Sequence, residues 1–290
     1  IIAIAVSSNL LGAATLVGDT TAIMLGSYAN MSFLDFFVYE GKPGIFFAVE
    51  LGAIVSALIL AWLFRKEKKP VPKGMPRTVV TDYVPSILLV GMIVLLISAS
   101  FIPNKPDITN GLICVGLMII GILYSFAKTH NRGALIHPIK AIDFETIGLL
   151  FGLFLVIGGI THMGVIDAAA ELLAKLGGGN VFVIYTIIVW ASVLLSAFID
   201  NIPYVATMLP VVTGLAQALG IPPTLLYFGL LSGATLGGNC TPIGASANIA
   251  GIGILRKNGY EGKTRDFIRI GIPFTLAAGI PAYIYFWVLY

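Results

Sequence analysis

Nine apolar stretches recur along the chain, at 1–26, 45–64, 84–102, 108–127, 147–163, 181–199, 202–216, 224–255 and 268–289, and most are long enough to cross a bilayer as a helix. In lipid no water is available for the peptide groups, so a spanning segment must satisfy its own backbone as a helix or close into a barrel. The strict in–out alternation of a barrel strand is missing, so the expectation is an all-α polytopic membrane protein. The composition agrees, with 58% hydrophobic and 11% charged residues in 290. The net charge of +3 is no nucleic-acid signal, because the basic residues are sorted between spans rather than clustered on a face.

That sorting sets a topology. Linkers 65–77, 128–146 and 256–269 carry six, three and five Lys/Arg, 14 of the chain's 17. The positive-inside rule places all three in the cytoplasm of a cell that holds the protein in its cytoplasmic membrane. Two spans joined by the outer turn PNKPD return the chain inside at 128. The span at 147–163 then exits, the amphipathic VIDAAAELLAKLGGGN lies along the outer interface, residues 181–216 enter and leave, and 224–255 crosses once to the inside.

Sliding the sequence by 226 positions lays LLGAATLVGDTTAIML (10–25) on LGGNCTPIGASANIAG (236–251), with a shared GxxTxxG spacing. The second copy is followed by a strongly basic loop and the first by a stretch whose one basic residue is Lys42, so the copies are expected to end on opposite membrane faces, as an inverted-topology repeat. The expected organisation is 1–64 as the end of a first repeat (a broken helix and the following span), 65–146 as cytoplasmic linkers and two spans, and 147–290 as a second repeat. That repeat comprises a span, an interfacial helix, a re-entrant hairpin, a broken helix and the last span.

Two motifs are polar where lipid forbids idle polarity. In GGNCTPIGASAN, Gly237, Gly238 and Gly244 permit unwound backbone, Pro242 removes a helical donor, and Asn239, Thr241, Ser246 and Asn248 supply oxygens or donors. A break of this kind frees carbonyls and amides that can hold an ion; the alternative is that small residues here only let helices pack closely. In SAFIDNIPYVATMLP, Asp200 and Asn201 follow a long apolar run, and Pro203 is expected to stop the first arm of a hairpin whose tip is the DNIP turn. A buried charge in a membrane is costly and marks function by default, whereas at the cytoplasmic surface Asp200 would simply be solvated.

FIDNIPYVATMLPV followed by GGNCTPIGASANI resembles the ion transporter superfamily, within it the branch of arsenite permeases and sodium/proton antiporters, near the citrate transporter-like domain. The resemblance covers nearly the whole chain. It implies that each repeat contributes a re-entrant hairpin and a discontinuous helix whose tips jointly bind substrate and coupling ion. It places Asp200, Asn201, Gly238, Asn239, Thr241, Gly244, Ser246 and Asn248 in one half-site and Asn9, Thr15, Gly18 and Asp19 in the other. Two departures stand out. Asp19 occupies the place of Ala245, so the half-sites differ. The partner of the Asp200 tip would fall before Ile1, so the chain is expected to be a fragment lacking an amino-terminal scaffold and first hairpin.

Asp19 and Asp200 are then two membrane carboxylates from pseudo-symmetric halves, able to carry a proton or bind a cation; Asp19 also reads as a helix cap. The expected activity is secondary transport of a small anion, arsenite-type or a carboxylate such as citrate, coupled to H+ or Na+, with sodium/proton antiport as the alternative. An intramembrane aspartyl protease is disfavoured because LVGD lacks the first glycine of GxGD; a channel is disfavoured by the repeats and midplane acids. No cofactor is expected, nor any metal beyond a transported Na+, since His130, His137, His162, Cys114 and Cys240 have no metal-ligand spacing. The expected partners are the small ion or anion, its coupling ion, the lipid bilayer and a second copy as a homodimer; nucleic acid is not one.

Overall fold

The computed structural model describes residues 1–66, 80–102, 105–106, 108–130 and 133–290. Among these the chain is almost wholly helical: α1 (Ile2–Gly12), α2 (Thr20–Tyr28), α3 (Ile45–Phe64), α4 (Val84–Ser100), α5 (Thr109–Thr129), α6 (Gly133–Lys140), α7 (Phe144–His162), α8 (Val165–Leu176), α9 (Val181–Ser196), α10 (Asn201–Leu219), α11 (Thr224–Gly237), α12 (Ser246–Lys257) and α13 (Thr264–Leu289). Four helices, α3, α5, α10 and α13, are individually long and apolar enough to cross a membrane, and α7 with α8 makes a fifth span if the bent pair is counted as one. This is an all-α polytopic membrane protein. Most of the linker 65–77 lies outside the described residues, as do parts of the turn PNKPD and of the linker 128–146; within the last, α6 forms.

The described residues pack as two units, one made of 1–31, 35–66 and 152–290, the other of 32–34 and the described part of 67–151. In the smaller unit α4 pairs with α5, and Asp82 ties the two together by accepting from Lys128 at 2.7 Å and from the Tyr124 hydroxyl at 3.2 Å. The Lys128 ammonium holds the Asp82 carboxyl below its ordinary value, so the tie is present at neutral pH and lets go as pH falls through the acid range.

The larger unit is built around α11, which is buried along its whole length. One face of α11 carries glycines every fourth residue, and α9 lies directly on them. A Cβ on Gly233 would sit 2.5 Å from the Val189 carbonyl oxygen, and one on Gly237 would sit 2.4 Å from that of Val193. Such close approach replaces the hydrophobic drive that helices lack in lipid. Gly233→Ala is therefore expected to cost about 1–3 kcal/mol by overpacking, read as a lower thermal midpoint in detergent. Gly253→Ala, which meets nothing within 4 Å, should leave the midpoint unchanged or raised.

A second close contact joins α3 to α13. A Cβ on Gly52 would lie 2.9 Å from the Ala278 carbonyl oxygen, and near one end Tyr285 donates to the Pro43 carbonyl at 3.0 Å, so the two helices run antiparallel. Gly52 and Ala278 are 226 positions apart, so residues equivalent under the sequence offset touch each other, as residues on a two-fold axis do. Between α2 and α3 a two-residue hairpin pairs Val38–Tyr39 with Lys42–Pro43, turning at Glu40 and Gly41 with positive φ at both. Gly164 breaks α7 from the amphipathic α8 with a bend of 73°.

Candidate functional site at two broken helices

Both GxxTxxG segments interrupt a helix at corresponding places. The first gap runs over 13–19 between α1 and α2. The second is a single 3-10 turn, Gly238–Cys240, followed by irregular chain to Ala245 between α11 and α12. Their restarts match to the residue: α2 begins at Thr20 and α12 at Ser246, 226 positions on. The glycines explain the shape of the gap. A Cβ on Gly18 would lie 2.2 Å from the Gly12 carbonyl oxygen, and one on Gly244 would lie 2.6 Å from that of Gly238, so each gap folds back until its two ends touch. The peptide N–H of Gly18 closes the first loop on the Thr15 carbonyl at 3.0 Å, and Gly244 faces Thr241 in the same way at 3.5 Å.

The hairpin α9–α10 brings its tip to the second gap. The Thr241 hydroxyl donates to the Ala197 carbonyl, Gly244 abuts the Ser196 carbonyl, and the Ser196 hydroxyl donates to Ala234 at 2.6 Å. The tip departs from the expected DNIP turn. The turn is Ala197–Asp200, and Asn201 already opens α10, so Pro203 stands in the first turn of the second arm rather than ending the first. A first-turn proline suits a helix start because its missing N–H would have had no intrahelical partner.

Asp200 caps α10 by accepting from Ile202 N at 3.0 Å, and the half-buried Asp19 caps α2. Asp19 thus is a capping aspartate as well as a candidate ligand. Its Oδ1 accepts from the Thr21 amide, from the Thr21 hydroxyl at 2.6 Å and from the Ala22 amide at 3.3 Å. Its Oδ2 accepts nothing among the described residues. The two carboxylates lie within electrostatic reach of each other. At the equivalent place, Ala245 heads α12 with no side-chain cap.

The two broken helices cross, α1 with α12 and α11 with α2. At the first crossing the Asn9 amide donates to Asn239 Oδ1 at 2.9 Å and to Asn248 Oδ1 at 3.0 Å. Asn239 in turn donates to the Val6 carbonyl at 3.1 Å, and Asn248 to those of Gly238 at 2.8 Å and Thr241 at 3.0 Å. Asn239 and Asn248 are fully buried, where unpaired amides would be costly. Of the residues expected at the site, Asn9, Asn239 and Asn248 meet directly; Gly18, Gly238 and Gly244 shape the loops; Thr241 joins loop to hairpin; Asp19 and Asp200 head α2 and α10. Asn201 is buried at the start of α10, Thr15 is half-buried in its loop, and Ser246 is exposed at the start of α12 with its hydroxyl unbonded among the described residues. Sequence reading passed over Thr21 and Thr235, both without exposed surface, whose hydroxyls lie 3.3 Å apart at the second crossing. The signal was present, since the 226-residue offset lays Thr235 on Asn9.

Helices long and apolar enough to span a membrane, together with two helices broken at equivalent places, define a polytopic membrane protein. The family model described as "Citrate transporter" matches residues 1–131 and 112–290, and the chain belongs to that family. It is 32% identical to a 46 kDa membrane protein of Mycobacterium leprae over 98% of this chain and 66% of that one. An uncharacterized transporter of Synechocystis is 28% identical over 92% of this chain and 62% of its own length, and the human P protein is 34% identical over 60% and 21%. The chain thus spans just under two thirds of the length of the mycobacterial relative.

Proposed function

We propose that this protein carries a small anion across the cytoplasmic membrane, of the carboxylate class such as citrate, with Na+ or H+ as the coupling ion, and that basic linkers 65–77, 128–146 and 256–269 face the cytoplasm. One observation carries the reading: the two broken helices restart at equivalent places, one headed by a carboxylate and the other by none. A helix N-terminus presents unpaired N–H groups and the positive end of its dipole. At α2 the Asp19 carboxylate answers those groups and leaves Oδ2 free for a cation, with Asp200 nearby. At α12 no side chain caps the start: the Asn248 N–H turns to the Ala245 carbonyl at 3.0 Å, and the amides of Ser246 and Ala247, without a partner among the described residues, suit a substrate carboxylate, with the exposed Ser246 hydroxyl beside them.

The equivalence of the halves supports an inverted repeat and alternating access about the Gly52–Ala278 contact. The α9 groove on α11, formed at Gly229, Gly233 and Gly237, corresponds by the offset to Ala3, Ser7 and Leu11, which line an open groove on α1. The family description favours a carboxylate over arsenite, and competition by arsenite is tested in the same assay.

The test is uptake of labelled citrate into proteoliposomes with an imposed inward Na+ or H+ gradient. The reading requires accumulation above the equilibrium ratio that collapses when the gradient is dissipated. The carboxylate pair also favours a second reading, sodium/proton antiport, which predicts Na+-driven proton movement without any anion; that result with no citrate or arsenite flux would replace the first reading.

A further inference from the structure

The two crossings occupy equivalent places but differ in chemistry. At the first, backbone carbonyls can only accept, so Asn239 and Asn248 must turn their amide groups to Val6, Gly238 and Thr241 and their oxygens to Asn9. Asn9 spends its amide on those two oxygens, and a neutral network results. At the second, Thr235 stands in the Asn9 position. An ionised carboxylate can only accept, so the Thr21 hydroxyl proton belongs to Asp19 Oδ1, 2.6 Å away. Thr21 Oγ1 is then left to accept, and the buried Thr235 hydroxyl 3.3 Å away must donate to it. Only this crossing ends on a charge.

We propose that Thr235 is a positioning residue for the cation ligand Asp19, reaching from α11 through the Thr21 hydroxyl to hold the carboxylate of the opposite half, a role that rests on the cation-binding reading of Asp19 above. Hydrogen bonds in a buried chain polarise one another, so the distal hydroxyl strengthens the proximal one. Because α11 leads directly into the Gly238–Ala245 loop and α12, the same contact joins the state of the cation site to the backbone that heads the anion site. The amide crossing, with no charge at its end, has no such dependence on the cation.

The experiment compares Thr235→Val, of matching size without a hydroxyl, with Thr235→Ser in the reconstituted protein, measuring citrate uptake against Na+ at fixed pH and against pH without Na+. Thr235→Val should raise the half-saturating cation concentration about three- to tenfold, the range for losing a hydrogen bond between neutral groups, with the maximal rate at saturating cation within about twofold. Thr235→Ser should restore the wild-type value within about twofold, and Thr235→Val should add no more than about twofold to residual citrate binding in an Asp19→Asn background. If Thr235→Val does not fold, Thr235→Ala is compared with Thr235→Ser by the same measures. Unchanged cation dependence in Thr235→Val, equal shifts in the Val and Ser variants, or a shift that persists undiminished without the Asp19 carboxylate would each overturn the proposal. Cation dependence untouched by Asp19→Asn itself would remove the reading of Asp19 and the proposal with it, whereas a strong Asp19→Asn effect with a silent Thr235→Val overturns the Thr235 role alone.

Discussion

Asp19→Asn and Asp200→Asn should each abolish gradient-driven accumulation while the protein inserts and folds as before. Both aspartates cap a helix, and asparagine caps as well as aspartate, so α2 and α10 keep their starts. What changes is the second oxygen. In Asp19 all three donors converge on Oδ1, so an asparagine would keep its oxygen there and put an NH2 donor where the free Oδ2 stood. A group that accepts a cation becomes one that repels it, and losing a charge-assisted contact of this kind weakens cation binding by about 10–100-fold. Citrate should then equilibrate at most. The check is uptake in proteoliposomes alongside size-exclusion profiles and thermal midpoints; accumulation near wild type in either folded variant would count against the assignment.

Nearly as large an effect is expected from one methyl group at either loop. Gly244→Ala would set a Cβ 2.6 Å from the Gly238 carbonyl oxygen and 2.9 Å from that of Ser196 in the hairpin tip; Gly18→Ala would set one 2.2 Å from the Gly12 carbonyl oxygen. Backbone atoms cannot swing aside as a flexible side chain does, so the loop must open and the hairpin must retreat from it. The strain is about 1–3 kcal/mol, enough to lower the thermal midpoint without preventing insertion. The functional loss should exceed that, because the Thr241 link to Ala197 and the placement of the α12 N-terminus both depend on the closed loop. Gly91→Ala, in open space on α4, is the control and should transport normally.

The broken helix was legible because GGNCTPIGASAN puts helix breakers and hydrogen-bonding side chains between two apolar runs, and few physical arrangements tolerate that in lipid. The match of α2 and α12 starts was legible for the same reason, through the GxxTxxG spacing. The hairpin tip was misplaced by a few residues because proline ends a helix when read from one side and begins one when read from the other; only the Asp200 cap decides between them. Thr21 and Thr235 escaped notice because an isolated threonine in an apolar run carries no local signature. Its meaning lies in which residue crosses it, 214 positions away in the sequence. The Asn9–Asn239–Asn248 network had the same difficulty, although the three residues had been placed at the site by family resemblance.

In the transport cycle proposed above, substrate meets the uncapped start of α12 when the cation site is filled. The most direct measurement is the alkylation rate of Ser246→Cys in a Cys114→Ala, Cys240→Ala background, since residue 246 is exposed and both native cysteines are free thiols. Citrate should slow the reaction strongly in the presence of Na+ or at the proton concentration that supports uptake, and not when Asp19 is asparagine. A rate indifferent to citrate under conditions where uptake is measured would contradict the account.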